Sequence, residues 1–197
     1  MRLLGRIDGQ DIVQKDDLSI SWVAGLSVDA DGAPNCYSPD PRVGLDDLGN
    51  AGHAGNWWGV VTNDYGSPIL QGPSDPFPNF YISTTSLQNK NYGRTDPRRY
   101  VNADVVPYIV VPVIIAREAT GVVLGCVATV EDIRTNRKVS GVVADLGPNN
   151  HIGEASVAMA RQLGVNPSPR TGGCSDPFFR YTFFPDQPAE GFQLQPL

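Results

Sequence analysis

Apolar positions along this chain fall into short blocks broken by glycine, proline and polar turn residues, a spacing that favours strands over long helices. Ser19 to Leu26 and Trp57 to Thr62 are predicted short strands in an otherwise loop-rich first third. Between them Asp29-Ala-Asp-Gly-Ala-Pro-Asn is a turn cluster, and residues 43–56 form a second irregular, glycine-bearing stretch. Phe80 to Ser86 has the β-branched and aromatic content of a strand. Asn89 to Arg99 is polar and reads as a surface excursion. Three strands follow closely: Val105 to Val113, Gly121 to Glu131 and Lys138 to Ala144. Pro107 and Pro112 place the first of these at an edge or a bend. Asn136 lies between the other two, which read as a hairpin. Only Glu154 to Leu163 has helical spacing, with Ala155, Ala158, Met159 and Leu163 on one face and Gly164 as the stop. Phe178 to Phe184 is a last strand. One helix among about seven strands predicts a mainly β fold, a closed or nearly closed barrel with one main helix packed on it and long N-terminal loops.

Composition agrees with that picture. There are 21 glycines and 17 prolines among 197 residues, with 41% apolar and 18% charged content. This is enough chain for one domain, residues 1–197, with a core that needs neither metal nor disulfide. The net charge of −6 and the sparse basic residues make nucleic acid a poor partner and suit a cationic one. Cys126 sits in an apolar run and reads as a buried small hydrophobe. Cys36 and Cys174 lie in loops and could pair, which spacing alone does not decide. The two histidines and three cysteines have no metal-ligand spacing, so no metal and no cofactor is expected. No run approaches the ~18 apolar residues of a membrane helix. The residues after Met1 lack the apolar core of a Sec signal, so a cytoplasmic location, another export route and a missing leader all remain open. A monomer is expected.

The stretch most able to carry chemistry is Gly141 to Val165. A strand of small and apolar residues runs into Asp145, a Gly147-Pro148 turn follows, and the predicted helix opens at Glu154. A carboxylate leaving such a strand is partly desolvated, which raises its pKa and suits a general acid. A glutamate in a first helical turn faces unsatisfied N–H groups and the positive dipole end, which favour the ionised form of a base. The plain alternative is a turn aspartate beside an ordinary first-turn glutamate.

This segment resembles the signature of family 75 glycoside hydrolases, the fungal and bacterial endo-chitosanases, in which an Asp-x-Gly-Pro turn precedes Ile-Gly-Glu-Ala-Ser. Val28-Asp-Ala-Asp-Gly, Tyr81-Ile-Ser-Thr-Thr-Ser, Tyr108-Ile-Val-Val-Pro and Gly172-Gly173 occur in the family's order, so the resemblance spans roughly Ser21 to Phe184. It implies Asp145 and Glu154 as the catalytic pair, inverting cleavage of β-1,4 bonds between glucosamine units, and secretion. An inverting pair stands roughly 6.5–9.5 Å apart with a water between. More distantly, the segment is similar to the double-psi β-barrel of rare lipoprotein A-type lytic transglycosylases. That likeness implies a six-stranded double-psi barrel and keeps peptidoglycan as a second substrate. Leu146 and Glu154 depart from that group, which has arginine and aspartate there. A non-catalytic carbohydrate-binding barrel is a third reading.

Further candidates for binding a polysaccharide follow from the resemblance. Asp29 and Asp31 could hold glucosamine amines or simply close an Asx-turn. Ser83, Thr84, Thr85 and Tyr81 could line the cleft or merely build a strand. Trp57 and Trp58, adjacent on a strand, point to opposite faces, so one is core and the other could stack on a sugar. His151 could tune the two carboxylates or be a plain turn residue.

Overall fold

A computed structural model describes residues 1–197. The chain opens with a hairpin, β1 (Arg2–Ile7) and β2 (Gln10–Gln14), turning through Asp8 and Gly9, both at positive φ. An Asp-Gly pair supplies that two-residue turn at low cost. The hairpin continues into β3 (Ile20–Asp29). After a long excursion come β6 (Tyr108–Pro112), helix α1 (Val113–Glu118), β7 (Cys126–Asp132), β8 (Arg137–Gly147) and β9 (Glu154–Ser156). Helix α2 (Val157–Leu163) and the long β10 (Cys174–Pro188) complete the chain. Within the excursion, β4 (Gly52–His53) and β5 (Asn56–Trp57) form a minimal hairpin of their own.

The strand order β3-β10-β7-β8-β6-β9 returns to β3 through a parallel β3–β9 pairing, which closes a six-stranded barrel; β2 and β1 hang on β3 outside it. Four of its pairings are antiparallel, and β6–β8 and β3–β9 are parallel. Alternation decides what faces inward: Ile20, Trp22, Ala24 and Leu26 on β3, and Phe179, Tyr181 and Phe183 on β10, are buried. Trp22 stacks on Tyr181 at 5.5 Å, and Phe183 meets it edge-on at 5.8 Å. Closure leaves the six barrel strands without a free edge, so their ladder groups pair within the barrel.

Several expectations need correction. The β1–β2 hairpin and α1 were not expected, so the helices number two rather than one. The strand at Tyr108 lies between β8 and β9 rather than at an edge, with Pro107 just before it and Pro112 ending it into α1. Trp57–Thr62 and Phe80–Ser86 are reduced to single bridges such as Val60–Ser83 and Leu70–Tyr81, because the turn-rich residues between them prevent a continuous ladder. All three cysteines are free, so Cys36 and Cys174 are not paired.

The largest correction concerns Glu154. It lies in β9, paired with Ser27 of β3, and not in the first turn of the helix. Helix α2 starts only at Val157, because Ser156 is its N-cap and accepts the Met159 N–H at 3.1 Å. Gly164 ends the helix in the left-handed region at φ 79°, as expected.

Candidate active site

The barrel brings the ends of β3, β8 and β9 to one rim. Asp29 ends β3, Asp145 lies near the end of β8, and Glu154 starts β9. Asp31 follows two residues after Asp29. Carboxylate oxygens of Asp29, Asp31 and Asp145 all lie within 4.8 Å of one another. Three acids that close cannot all ionise, so the cluster shares protons.

Each acid is oriented by specific donors. Asp145 Oδ1 accepts from the Ser86 hydroxyl at 2.5 Å, the Ser86 N–H at 2.9 Å and the Leu146 N–H at 2.8 Å. Ser86 is held in place because the next residue, Leu87, donates its N–H to the Ala144 carbonyl of β8. Asp29 accepts the Asp31 N–H at 2.8 Å, an Asx-turn, while its other oxygen takes the Tyr108 hydroxyl at 3.0 Å. Asp31 accepts from Tyr37 at 2.7 Å and from Ser83 at 3.3 Å. Three carboxylates are a donor set that a hard cation accepts. Here the protein's own N–H and O–H groups already take part of their lone-pair capacity.

Burial dominates the electrostatics. It pushes Asp145 up to about 6, against the pull of the Ser86 and Leu146 donors, with the Glu154 charge adding a smaller push. Asp29 rises to about 7 through burial and then the neighbouring Asp145 charge, and Asp31 is raised by burial and both neighbours. Glu154 also rises to about 7, from burial and the Asp29 charge, partly offset by His151. The expectation of opposite shifts for Asp145 and Glu154 therefore fails: without a helix terminus at Glu154, nothing offsets its desolvation except His151. Glu154 accepts no hydrogen bond within the protein, whereas Asp145 accepts three on one oxygen. Asp145 is the acid better equipped to carry charge.

Gly147 explains how Glu154 reaches this rim. A β-carbon there would lie 2.9 Å from Glu154 Oε2 and 2.9 Å from Val110 Cγ1. The glycine of Asp-x-Gly-Pro is thus the notch into which the Glu154 carboxylate fits. Residues 145 and 147 share a face of β8, two residues apart.

Two clefts open on either side of the cluster. The first, about 470 Å³, is lined by Asp29, Asp46 and Glu154 together with Ser27 and Tyr37. The second, about 480 Å³, is lined by Asp31 and Asp145 on its inner wall, then by Trp57, Trp58, Thr84 and Thr85. Of the two tryptophans, Trp57 packs partly on the core and Trp58 is 58% exposed, so Trp58 rather than Trp57 offers the flat face. Ser83 is buried and serves Asp31; Thr85 is buried and bonded to the Leu87 carbonyl and Val101 N–H. Tyr81 lines neither cleft. His151 sits beside Ser27 and is held by Asp8 at 2.9 Å, so the β1–β2 turn reaches the site.

Sequence reasoning missed Tyr37, Tyr108, Ser86 and Asp8. Ser86 and Tyr108 stand inside the segments Tyr81-Ile-Ser-Thr-Thr-Ser and Tyr108-Ile-Val-Val-Pro, so their signal was present but unassigned. Tyr37 and Asp8 had none. Comparison with protein-family models finds no match, and a search of curated proteins likewise finds none.

Proposed function

We propose that this protein is a glycoside hydrolase of the endo-chitosanase type, cleaving β-1,4 bonds in an amino-sugar polymer with inversion. The observation that carries the reading is the pair of desolvated carboxylates, Asp145 and Glu154, at one rim of the barrel, each lining an open cleft. An inverting displacement needs the two carboxyl groups roughly 6.5–9.5 Å apart, with a water between one of them and the sugar. Two clefts flanking one reaction centre suit a chain that continues in both directions.

The structure favours a particular division of labour. Glu154, without hydrogen-bond donors and raised to about 7, keeps its proton and gives it to the leaving glycosidic oxygen. Asp145, held in its ionised form by Ser86 and Leu146, takes a proton from the attacking water. This exchanges the roles that the sequence suggested. Asp29 and Asp31 sit where an ammonium group of a glucosamine unit would relieve the crowding of the acid cluster. The resemblance in sequence and the two parallel pairings, β6–β8 and β3–β9, support a double-psi connection within the closed barrel. On the same reading the protein acts as a secreted monomer on polysaccharide, without a cofactor.

The test is product analysis on chitosan, chitin and peptidoglycan strands side by side, with the anomeric form of fresh products followed by NMR. Oligosaccharides released from chitosan with inverted configuration are expected. Retained configuration, or no release from any of the three polymers, defeats the reading.

A further inference from the structure

The two clefts differ in sign. The first carries Asp29, Asp46 and Glu154 and no basic residue. The second carries Arg94 and Arg99 beyond Asp31 and Asp145. In a protein of net charge −6, two arginines facing one cleft call for an explanation. Eight other arginines are paired with carboxylates: Arg2, Arg6, Arg42, Arg98, Arg134, Arg161, Arg170 and Arg180. Four are not, Arg94, Arg99, Arg117 and Arg137, and of these only Arg94 and Arg99 line the cleft.

Arg99 is half-buried and held in one pose by neutral acceptors, its Nε on Gln88 Oε1 at 2.8 Å and its Nη1 on the Tyr92 carbonyl at 2.7 Å. An arginine has five N–H donors, so three remain for something outside the protein. Arg94 spends one on the Thr62 carbonyl at 3.1 Å, and its own carbonyl accepts the Tyr100 hydroxyl, which ties the two arginines to one short segment. A guanidinium pre-oriented by neutral groups on the lining of a cleft, with N–H donors to spare, is suited to recognition of an anion.

We propose that this end of the second cleft is a subsite for a carboxylate carried by the sugar chain, so that an amino-sugar glycan with an acidic substituent at that unit binds more tightly than the uniformly cationic polymer. The inference rests on the glycosidase reading for the identity of the chain. Trp58 gives a sugar ring its apolar face, and Arg94 and Arg99 meet the acidic group beyond it. A uniform polyamine would place ammonium groups against two guanidiniums and be repelled there. The carboxylate has two chemical sources, an ether-linked lactyl group as in muramic acid or the ring carboxyl of a uronic acid.

The experiment is a binding measurement by calorimetry with the full protein. The probes are a peptide-free tetrasaccharide alternating N-acetylglucosamine and N-acetylmuramic acid, the same compound with its carboxyls reduced to alcohols, and a tetrasaccharide alternating N-acetylglucosamine and glucuronic acid. One acidic probe is expected to bind roughly tenfold tighter than the reduced compound, and which one names the source. In Arg99→Gln that preference should fall to near unity. Arg94→Gln, at an exposed side chain with a single internal bond, should lower it too and serves if Arg99→Gln does not fold. Equal binding of acidic and reduced probes, or a preference that survives both substitutions, overturns the subsite. Cleavage of chitosan with no preference for acidic probes would leave the hydrolase standing without the subsite. A preference without cleavage of any polymer would do the reverse.

Discussion

The barrel wall and the excursion between β3 and β6 contribute to the same site by different means. Asp145 and Glu154 are mounted on strands of the closed barrel, Asp145 opposite Val110 of β6 and Glu154 opposite Ser27 of β3, so a shift of either backbone disturbs a barrel ladder. The excursion has no long ladder. It is assembled from Asx-turns, in which Asp29 and Asn63 accept the N–H groups of Asp31 and Tyr65, from single bridges, and from side chains such as Gln71 that donate to a backbone carbonyl. Yet it supplies Asp31, Ser86, Trp58, Arg94 and Arg99. On the proposed reading the wall would fix where the bond is broken, and the excursion would tune charge and recognise the chain. Reaction groups on rigid elements and binding groups on loops is a common arrangement. It predicts that damage on the two sides will differ in kind as well as in size.

The largest effect belongs to the wall. Asp145→Asn and Glu154→Gln should each lower kcat by at least the ~10²-fold typical of losing a positioned acid or base, with KM little changed. Azide distinguishes the roles, since it replaces the activated water. It should restore turnover to Asp145→Ala and not to Glu154→Ala. Rescue of the glutamate variant instead would return the base to Glu154.

Next in size is the notch at Gly147. A methyl group there must displace either Glu154 or Val110, both 2.9 Å from the position it would occupy. Overpacking of this kind costs about 1–3 kcal/mol. Gly147→Ala should lower kcat by about tenfold, since an ångström of misplacement is felt strongly in catalysis. Far-ultraviolet circular dichroism should stay unchanged. Wild-type turnover in this variant would show that the Glu154 carboxylate does not work from the position described.

How much of this was legible depended on what held each element. The β7–β8 hairpin could be read because both strands are rich in valine and Asn136, at φ 57°, marks the turn. Asp145 and Glu154 stood out through strand, turn and helix in sequence. The start of α2 was misplaced by three residues because a glutamate in helical register was given more weight than the serine that caps. Ser156 is the stronger signal, since a cap satisfies orphan N–H groups outright. Helix α1 was hidden in a run, Val-Ile-Ile-Ala, whose apolar residues suit strand and helix alike. The β1–β2 hairpin carried its mark in Asp8-Gly9, which was overlooked. The proton-sharing cluster was beyond the sequence, because Asp29, Asp31 and Asp145 meet only through barrel closure.

A smaller effect is expected on the excursion side. Ser86→Ala removes one donor from Asp145 and leaves the Ser86 and Leu146 N–H groups. That hydrogen bond favours the ionised form, so its loss raises the Asp145 pKa above about 6. Asp145 must be ionised to act as base, so the acidic limb of the pH–rate profile should move to higher pH. The basic limb, set by the Glu154 proton near 7, should stay. Movement of the basic limb instead would mean that Ser86 orients the acid.

The smallest effect is on stability, and it tests whether the cluster shares protons. Asp29, Asp145 and Glu154 have folded pKa values of about 7, 6 and 7, against roughly 4 in an unfolded chain. Between those limits the folded state binds more protons than the unfolded one, so stability falls as pH rises. The stabilisation is fully present below about pH 4 and is lost through pH 6 to 7. The exposed carboxylates held low by arginine, Asp11, Asp40 and Asp96, act in the opposite sense, but only below the usual carboxylate range. The window between pH 5 and 7.5 therefore belongs to the buried cluster. Each extra proton bound contributes a slope of about 1.4 kcal/mol per pH unit. The melting temperature should decline across this window. Asp31→Asn, which keeps acceptors for Tyr37 and Ser83 while removing a charge from the cluster, should flatten the decline and raise the melting temperature at pH 7.5. A melting temperature that rises from pH 5 to 7.5, or a slope unchanged in Asp31→Asn, would mean that the four acids do not hold extra protons in the folded state. The acid role of Glu154 near neutrality would then lose its basis.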